Sequence, residues 1–183
     1  MGLKQETAGN NSFVTIVWLK KWDDEKLNFL VKKWDSEEKW NVLTGELEKI
    51  ELSSYEYEWQ KRDTVKITIA DVTEKYVIST AFTTIAKSLL NSLASAETFW
   101  QLELKLYVNK KGYNSIYVAN DNTRLEWKYT IEELNSKVDK IQKKNGEVVM
   151  DYSELDEFYK NTVVKQIQET IEKSKIKQEE FKF

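Results

Sequence analysis

Apolar and polar residues alternate along the middle of the chain, and this period of two is typical of half-buried β-strands. The clearest case is Trp100–Val108, in which leucines alternate with Glu103, Lys105 and Tyr107. The alternation predicts five strands: Val42–Trp59, Val65–Ala70, Lys75–Thr80, Trp100–Val108 and Tyr113–Ala119. Polar turns are predicted between them at Gln60–Asp63, Asp71–Glu74 and Asn109–Gly112. Gly45 is expected to permit a bend or bulge early in the first strand.

The spacing of apolar residues changes between the third and fourth of these strands. Phe82, Ile85, Leu89, Leu90 and Leu93 recur every three or four residues, which predicts an amphipathic helix of about four turns. The order is therefore three strands, one helix and two strands, as in the OB barrel. The sequence predicts a mainly β protein built on a closed five-stranded OB-fold barrel, with its helix between strands 3 and 4.

The segment before the barrel predicts an extra N-terminal β-hairpin. Its two extended segments are Phe13–Lys21 and Lys26–Trp34, and the polar turn Asp23–Glu25 lies between them. We expect Asp35–Glu38 to be a solvated connection to the barrel. Residues 1–11 are polar and are expected to form a flexible tail, so the domain with its hairpin is predicted over residues 12–130.

The chain beyond the barrel predicts a helical C-terminal extension over residues 131–183. Thr130–Glu133 has the pattern of a capped helix start, and Asn145 with Gly146 separates it from a longer helix at Ser153–Lys175. The apolar stripe of the longer helix consists of Leu155, Phe158, Val163, Ile167 and Ile171. Such a stripe must be covered, either by the same chain or by a second molecule.

Composition limits the chemistry of the 183-residue chain. It has no cysteine and no histidine, which excludes thiolate chemistry, the common zinc sites and Ser-His-Asp triads. The acidic residues of Asp151–Glu157 lie near a helix start, where they complement the helix dipole, and Asp23–Glu25 share one turn. Nothing in the sequence brings carboxylates together in a pocket. We therefore expect no enzymatic activity, no metal ion and no other cofactor.

The sequence also favours a location in the cytoplasm. No apolar run reaches the roughly 20 residues of a membrane helix, so no membrane association is expected. The polar N-terminus lacks the apolar core of a signal peptide.

Aromatic residues are unusually abundant and often lie beside Lys or Arg. Seven Trp, nine Tyr and seven Phe make up 13% of the chain, whereas its net charge of −3 argues against a uniformly basic surface. Trp18, Trp22, Trp34 and Trp40 are expected to be packing residues rather than stacking ones. Trp59, at the end of a predicted strand, has equal odds of belonging to the core or to a binding surface.

Residues 44–134 resemble the single-stranded DNA-binding proteins encoded by bacteriophages. The most telling stretch is Leu104–Tyr107 followed by Lys110–Asn114. The other matching motifs are Gly45–Leu47, Val65–Asp71, Lys75–Thr80, Leu89–Leu93, Trp127–Tyr129 and Glu132–Leu134. The resemblance implies an OB fold and binding of single-stranded DNA without strong sequence preference. It also implies a role in phage DNA replication or recombination, replication proteins as further partners, and a location in the host cell cytoplasm.

Binding of single-stranded DNA needs aromatic rings for stacking and cations for the phosphates. If the leucines of the fourth strand face inward, Lys105 and Tyr107 face outward, and the same alternation turns Tyr113 and Tyr117 outward on the fifth. The predicted site also draws on the second and third strands and on the two turns that flank the cleft of an OB fold. Its members are Trp59, Lys61, Arg62, Lys66, Tyr76, Lys105, Tyr107, Lys110, Lys111, Tyr113 and Tyr117.

A different class of function remains open at this point. OB barrels also bind peptides and proteins, and the helix at Ser153–Lys175 offers an apolar stripe for a partner or for a homo-oligomer. The net charge of −3 favours this protein–protein interaction module over nucleic-acid binding. A titration with single-stranded DNA separates the two hypotheses.

Overall fold

The computed structural model describes residues 11–17, 28–32, 36–72 and 74–180. The strands are β1 Asn11–Val17, β2 Asn28–Lys32, β3 Glu37–Trp40, β4 Val42–Tyr57, β5 Gln60–Ala70, β6 Lys75–Ala81, β7 Leu102–Val108, β8 Asn114–Asn120, β9 Thr123–Arg124, β10 Asp139–Gln142 and β11 Val148–Asp151. The helices are α1 Thr84–Leu93, α2 Ile131–Asn135, α3 Ser153–Phe158 and α4 Val164–Glu180, and the π-helical turn Tyr159–Val163 joins α3 to α4.

Nine strands form one sheet in the order β3-β2-β1-β6-β5-β4-β7-β8-β9. The mainly β class, the five central strands and the helix between β6 and β7 are confirmed. The closed barrel is wrong for the described residues, because the sheet is open. Closure needs β6 to pair with β8, whereas β6 pairs with β1 and β8 pairs with β9.

Strand β4 changes partner at Gly45, where a bend or bulge was expected. Val42–Gly45 pair with β7, and the pairing with β5 begins at Glu46. Gly45 has a φ of +150°, and a Cβ built there would lie 2.5 Å from the carbonyl oxygen of Ala70. Only glycine fits this close approach of two backbones. The crossing joins the β5–β6 side of the sheet to the β7–β8 side.

The predicted N-terminal hairpin exists, with Phe13 paired to Lys32 and Val17 to Asn28. Its turn at Asp23–Glu25 and the predicted tail at residues 1–10 lie outside the described residues, while Asn11 belongs to β1. The predicted connection Asp35–Glu38 is wrong at its C-terminal end, where β3 begins and pairs with β2.

Strand β1 runs parallel to β6, with Asn11 opposite Lys75 and Val14 opposite Ile78. In a closed barrel, this edge of β6 would pair with the last strand, β8. Here the edge pairs with β1 instead. The N-terminal hairpin is therefore part of the main sheet rather than an appendage to it.

The core is formed by the inward residues of the strands together with one face of α1. Ile67, Ile78, Ile85 and Leu89 are among its fully buried members, and Phe29 of β2 joins the same cluster. Thr83 caps α1 by accepting a hydrogen bond from the backbone N–H of Ala86. Helix α1 begins two residues after the predicted start at Phe82, so it is shorter than expected.

The C-terminal helix packs on the sheet of its own chain. Val163 and Ile167 are fully buried in the core cluster, Leu155 and Ile171 also belong to it, and Phe158 packs against it. The amide of Gln168 donates a 3.0 Å hydrogen bond to the carbonyl of Ile50 in β4. The ammonium group of Lys160, in the π-helical turn, pairs with Asp63 of β5. The stripe is therefore not free to form the homo-oligomer interface suggested by the sequence.

The segment between α2 and α3 departs from the all-helical prediction. Thr130 and Glu133 form the expected capping box at the start of α2. The chain then forms the hairpin β10–β11, with Asn145 and Gly146 in its turn, instead of continuing as helix. The short strands have little apolar alternation, which is why the pattern missed them.

Candidate nucleic-acid interface

The outward face of β7 and β8 holds three of the predicted residues, Lys105, Tyr107 and Tyr117, and Tyr113 lies just before β8. The ladder pairs Lys105 with Tyr117 and Tyr107 with Ser115, so all of these side chains lie on one face. The inward residues between them, Ile116 and Val118, are buried as expected. Tyr107 is 40% exposed, and Tyr113, at the end of the hairpin, is 67% exposed. The rings and cations of this hairpin therefore form one surface, which we name the β7–β8 face.

Local charge on the β7–β8 face is positive although the chain is acidic. The segment from Leu104 to Asn120 contains Lys105, Lys110 and Lys111 and no carboxylate, and Glu103 is the one acidic residue of β7 on the same face. None of these three lysines forms an ion pair with another described residue. Their ammonium groups are therefore available to an anionic ligand.

The turn of the β7–β8 face is held in one conformation by Asn109. Its side-chain oxygen accepts hydrogen bonds from the backbone N–H groups of Lys111 at 2.9 Å and Tyr113 at 3.0 Å. Gly112 has a φ of +80°, which glycine adopts at little cost. Lys110, Lys111 and Tyr113 thus project from a fixed turn.

Sequence reasoning missed side chains that extend this face towards α1. Arg124 pairs with Ala119 across the β8–β9 ladder, and Trp127 follows it at 46% exposure. Both line a small cleft with Tyr107 and Tyr117. Trp127 belongs to Trp127–Tyr129, one of the motifs that carry the family resemblance. That motif was the only feature of the sequence that pointed to a functional role for Trp127.

The predicted residues Trp59, Lys61 and Arg62 lie on a different hairpin. The turn between β4 and β5 is at Glu58 and Trp59, so β5 begins at Gln60 and the predicted polar turn Gln60–Asp63 is wrong. Trp59 is 98% exposed and has a φ of +63°, so it is not a core residue. Tyr55, opposite Arg62 in the ladder, is 46% exposed.

Lys66 faces a third surface, a groove between α4 and strands β4, β5 and β6. Four lysines and three glutamates line this groove, and two of the lysines are paired, Lys49 with Glu51 and Lys75 with Glu48. Lys66 is opposite Glu51, whereas Lys105 is opposite Val42, nine positions earlier in β4. At about 3.3 Å per residue this separates them by up to about 30 Å. The structure therefore does not bring Lys66 to the β7–β8 face.

Tyr76 is buried, which corrects its assignment to the binding surface. It is 5% exposed, and its ring contacts Trp40 edge-on at 5.4 Å between centroids. Burial, with the hydrogen bond that its hydroxyl donates to Glu74, raises the pKa of Tyr76 to about 12. The ring has no exposed face for stacking. Trp40 is a packing residue, as expected, while Trp18, Trp22 and Trp34 lie outside the described residues.

The acidic residues around α3 have local structural partners. Asp151 accepts hydrogen bonds from the backbone N–H and the hydroxyl of Ser153, and these bonds lower the pKa of its carboxyl group. Asp156 pairs with Lys87 of α1, and Glu157 pairs with Lys160. The described part of this cluster therefore stabilises the start of α3 and the packing of α3 against α1. Asp23–Glu25 lie outside the described residues.

Comparison with known proteins finds no matching family model, no similar curated protein and no similar solved structure. None of the helices in the described residues has the length and apolar content of a membrane span.

Proposed function

We propose that the chain binds single-stranded DNA without strong sequence preference, through the β7–β8 face. We further propose that β4–β8 with α1 form an opened OB-type unit. In this hypothesis the protein protects single strands during phage DNA replication or recombination, as the family resemblance implies.

The strand pairing supports the OB-type unit. Strand β4 lies between β5 and β7, β5 pairs with β6, and β7 pairs with β8. These are four of the five neighbour relations of an OB barrel, which is itself a partly open fold. In addition, β4 crosses between the two halves at Gly45, as the first strand of a small barrel must.

The observation that carries the binding proposal is the joint placement of exposed tyrosines and unpaired lysines on one face. Each base stacked on an aromatic ring contributes roughly 1–3 kcal/mol. Three lysine–phosphate contacts give a slope of log K against log salt of about −2 for a single strand. Stacking and counterion release are both independent of sequence, which fits binding without strong preference.

The test is a titration of the protein with labelled oligo-dT at several salt concentrations. We expect Tyr107→Ala and Tyr113→Ala each to lower the affinity by about tenfold, since each removes one stacking surface. The double variant Lys110→Ala/Lys111→Ala should reduce the salt slope by about 1.4.

The matched control is the double variant Lys140→Ala/Lys144→Ala, on the exposed β10–β11 hairpin. It removes the same charge elsewhere and should leave the salt slope unchanged. If both double variants lose the same salt slope, DNA binding depends only on the net charge of the protein. That result would contradict a site on the β7–β8 face. No binding of wild-type protein at low salt would refute the proposal and favour the protein–protein interaction module.

A further inference from the structure

A small cleft lies where α1 passes the edge of β8, beside the β7–β8 face. Its volume is about 150 Å³. An engineered protein cavity of about this volume binds benzene, so the cleft has room for one six-membered ring. The lining side chains that can stack or form hydrogen bonds include Ser88, Ser92, Tyr107, Tyr117, Arg124 and Trp127.

Buried hydrogen bonds hold the wall of the cleft that carries Trp127. Asn91 of α1 is fully buried, and its amide donates to the carbonyl of Tyr129 and accepts from the N–H of Tyr129, both at 2.9 Å. The N–H of Lys128 donates to the carbonyl of Asn91 at 3.2 Å, and the N–H of Leu125 donates to Val118 of β8 at 2.9 Å. The segment with Trp127 is thereby fixed to both α1 and β8, and the cleft is preformed.

Three hydroxyl groups of the cleft lack partners within the described part of the protein, whereas Ser115 and Arg124 are paired with neighbouring residues. Among the described residues, the hydroxyl groups of Ser88, Ser92 and Tyr117 form no side-chain hydrogen bond. Ser92 is only 5% exposed, so its hydroxyl has little access to solvent other than through the cleft. A ligand that supplies hydrogen-bonding atoms at the edge of a flat ring would satisfy these groups.

We propose that the cleft is a pocket for one pyrimidine base of the bound strand. The proposal rests on the proposed function, because the base reaches the pocket from a strand on the adjoining β7–β8 face. The aromatic side chains contact the ring and the serine hydroxyls bond to its edge, while Arg124 at the rim is already paired with Glu126. A pyrimidine is the smaller of the two base types, so we expect it to enter this small cleft more readily than a purine with its two fused rings. The pocket therefore gives a modest pyrimidine preference to a surface that otherwise binds any sequence.

The test compares oligo-dT with oligo-dA of equal length in wild-type protein and in Ser88→Leu, which fills the cleft. Oligo-dA also binds weakly to many proteins because its bases stack on each other, but this effect cancels when the two affinity ratios are compared. We expect the dT-to-dA affinity ratio to fall about tenfold in Ser88→Leu, with an unchanged salt slope. Ser88→Ala/Ser92→Ala, which removes the hydroxyls without adding bulk, should shift the ratio in the same direction.

The control is Ser79→Leu, the same substitution at an exposed position of β6 on the Lys66 side of the sheet. It should leave the dT-to-dA ratio unchanged. If wild-type protein binds both oligonucleotides and neither cleft variant alters the ratio, the pocket is refuted while the proposed function stands. If wild-type protein binds neither oligonucleotide at low salt, both proposals are overturned.

Discussion

Gly45→Ala should be among the most destabilising single-methyl additions in the described part of the chain. The added Cβ would lie 2.5 Å from the carbonyl oxygen of Ala70 and 2.8 Å from Cγ2 of Ile69. The nearest atom belongs to the backbone of β5 and is held in a ladder, so it cannot move aside locally. A φ of +150° adds about 1–3 kcal/mol for a non-glycine residue, and overpacking adds about 1–3 kcal/mol. We expect the free energy of unfolding to fall by roughly 4 kcal/mol.

Urea denaturation followed by far-UV circular dichroism measures this loss, and Gly112→Ala is the matched control. Gly112 also has a positive φ, +80°, but a Cβ there would meet no atom within 4 Å. Its substitution should lower the free energy of unfolding by only about 1–2 kcal/mol, which is the conformational term alone. The difference between the two variants isolates the contact between β4 and β5.

The reasoning about the crossing of β4 is refuted if Gly45→Ala and Gly112→Ala differ by less than about 1 kcal/mol. The same result would remove one support of the OB-type unit. A loss of cooperativity in Gly45→Ala alone, with a smaller denaturant slope, would instead show that the two sides of the sheet unfold separately.

Two further predictions concern buried polar groups. Burial raises the pKa of Tyr159 to about 12, so the neutral side chain contributes stability that is complete below pH 10 and is lost as the pH rises towards 12. Urea denaturation at pH 9 and at pH 11.5 measures how far the free energy of unfolding falls between these two pH values. This fall should be about 2 kcal/mol smaller in Tyr159→Phe than in wild type, and equal falls would contradict the burial argument. Asn91→Ala leaves the N–H and carbonyl of Tyr129 without their partner, which should lower the free energy of unfolding by about 2–4 kcal/mol. It should also speed hydrogen exchange at the Tyr129 amide, and an unchanged exchange rate would show that Asn91 does not hold the Trp127 segment.

The inward and outward faces of β7 and β8 were predictable from their sequence. Alternation correctly placed Leu104 and Ile116 inside, and Lys105 and Tyr107 outside, because side chains of a strand point to opposite faces in turn. Tyr76 was assigned to the binding surface although its strand shows no clear alternation, and the assignment was wrong. Val77 and Tyr76 are both apolar enough to be core, so the pattern KYVIST leaves the register of β6 open.

The neighbours of each strand were not predictable in the same way. Alternation gives a face but not a partner, so the parallel ladder between β1 and β6 had no local signal. That ladder is what prevents closure of the predicted barrel. Lys66 was grouped with Tyr107 for the same reason, since only the pairing of β4 shows that they lie on different surfaces.

The cleft beside α1 left a faint trace in the sequence. Helix α1 is apolar on one face, but Ser88, Asn91 and Ser92 interrupt it at positions that prove half-buried or buried. Polar residues in a buried helix face require hydrogen-bond partners. Here Asn91 bonds to the segment that carries Trp127, while Ser88 and Ser92 line the cleft. Such polar interruptions in the sequence indicate that α1 contributes to a site. They do not indicate that the Trp127 segment packs against it.

The position of α4 sets the order in which the chain completes its fold during synthesis. Strands β1 and β2 leave the ribosome first, yet Asn11 must wait for Lys75 before its ladder forms. Val163 and Ile167 cover the core last, although the sheet beneath them is already made. At about 5–20 residues per second, the nascent protein spends several seconds with a finished sheet and an uncovered apolar surface. Translation that stalls before Val163 therefore leaves the apolar surface of the sheet without the helix that covers it.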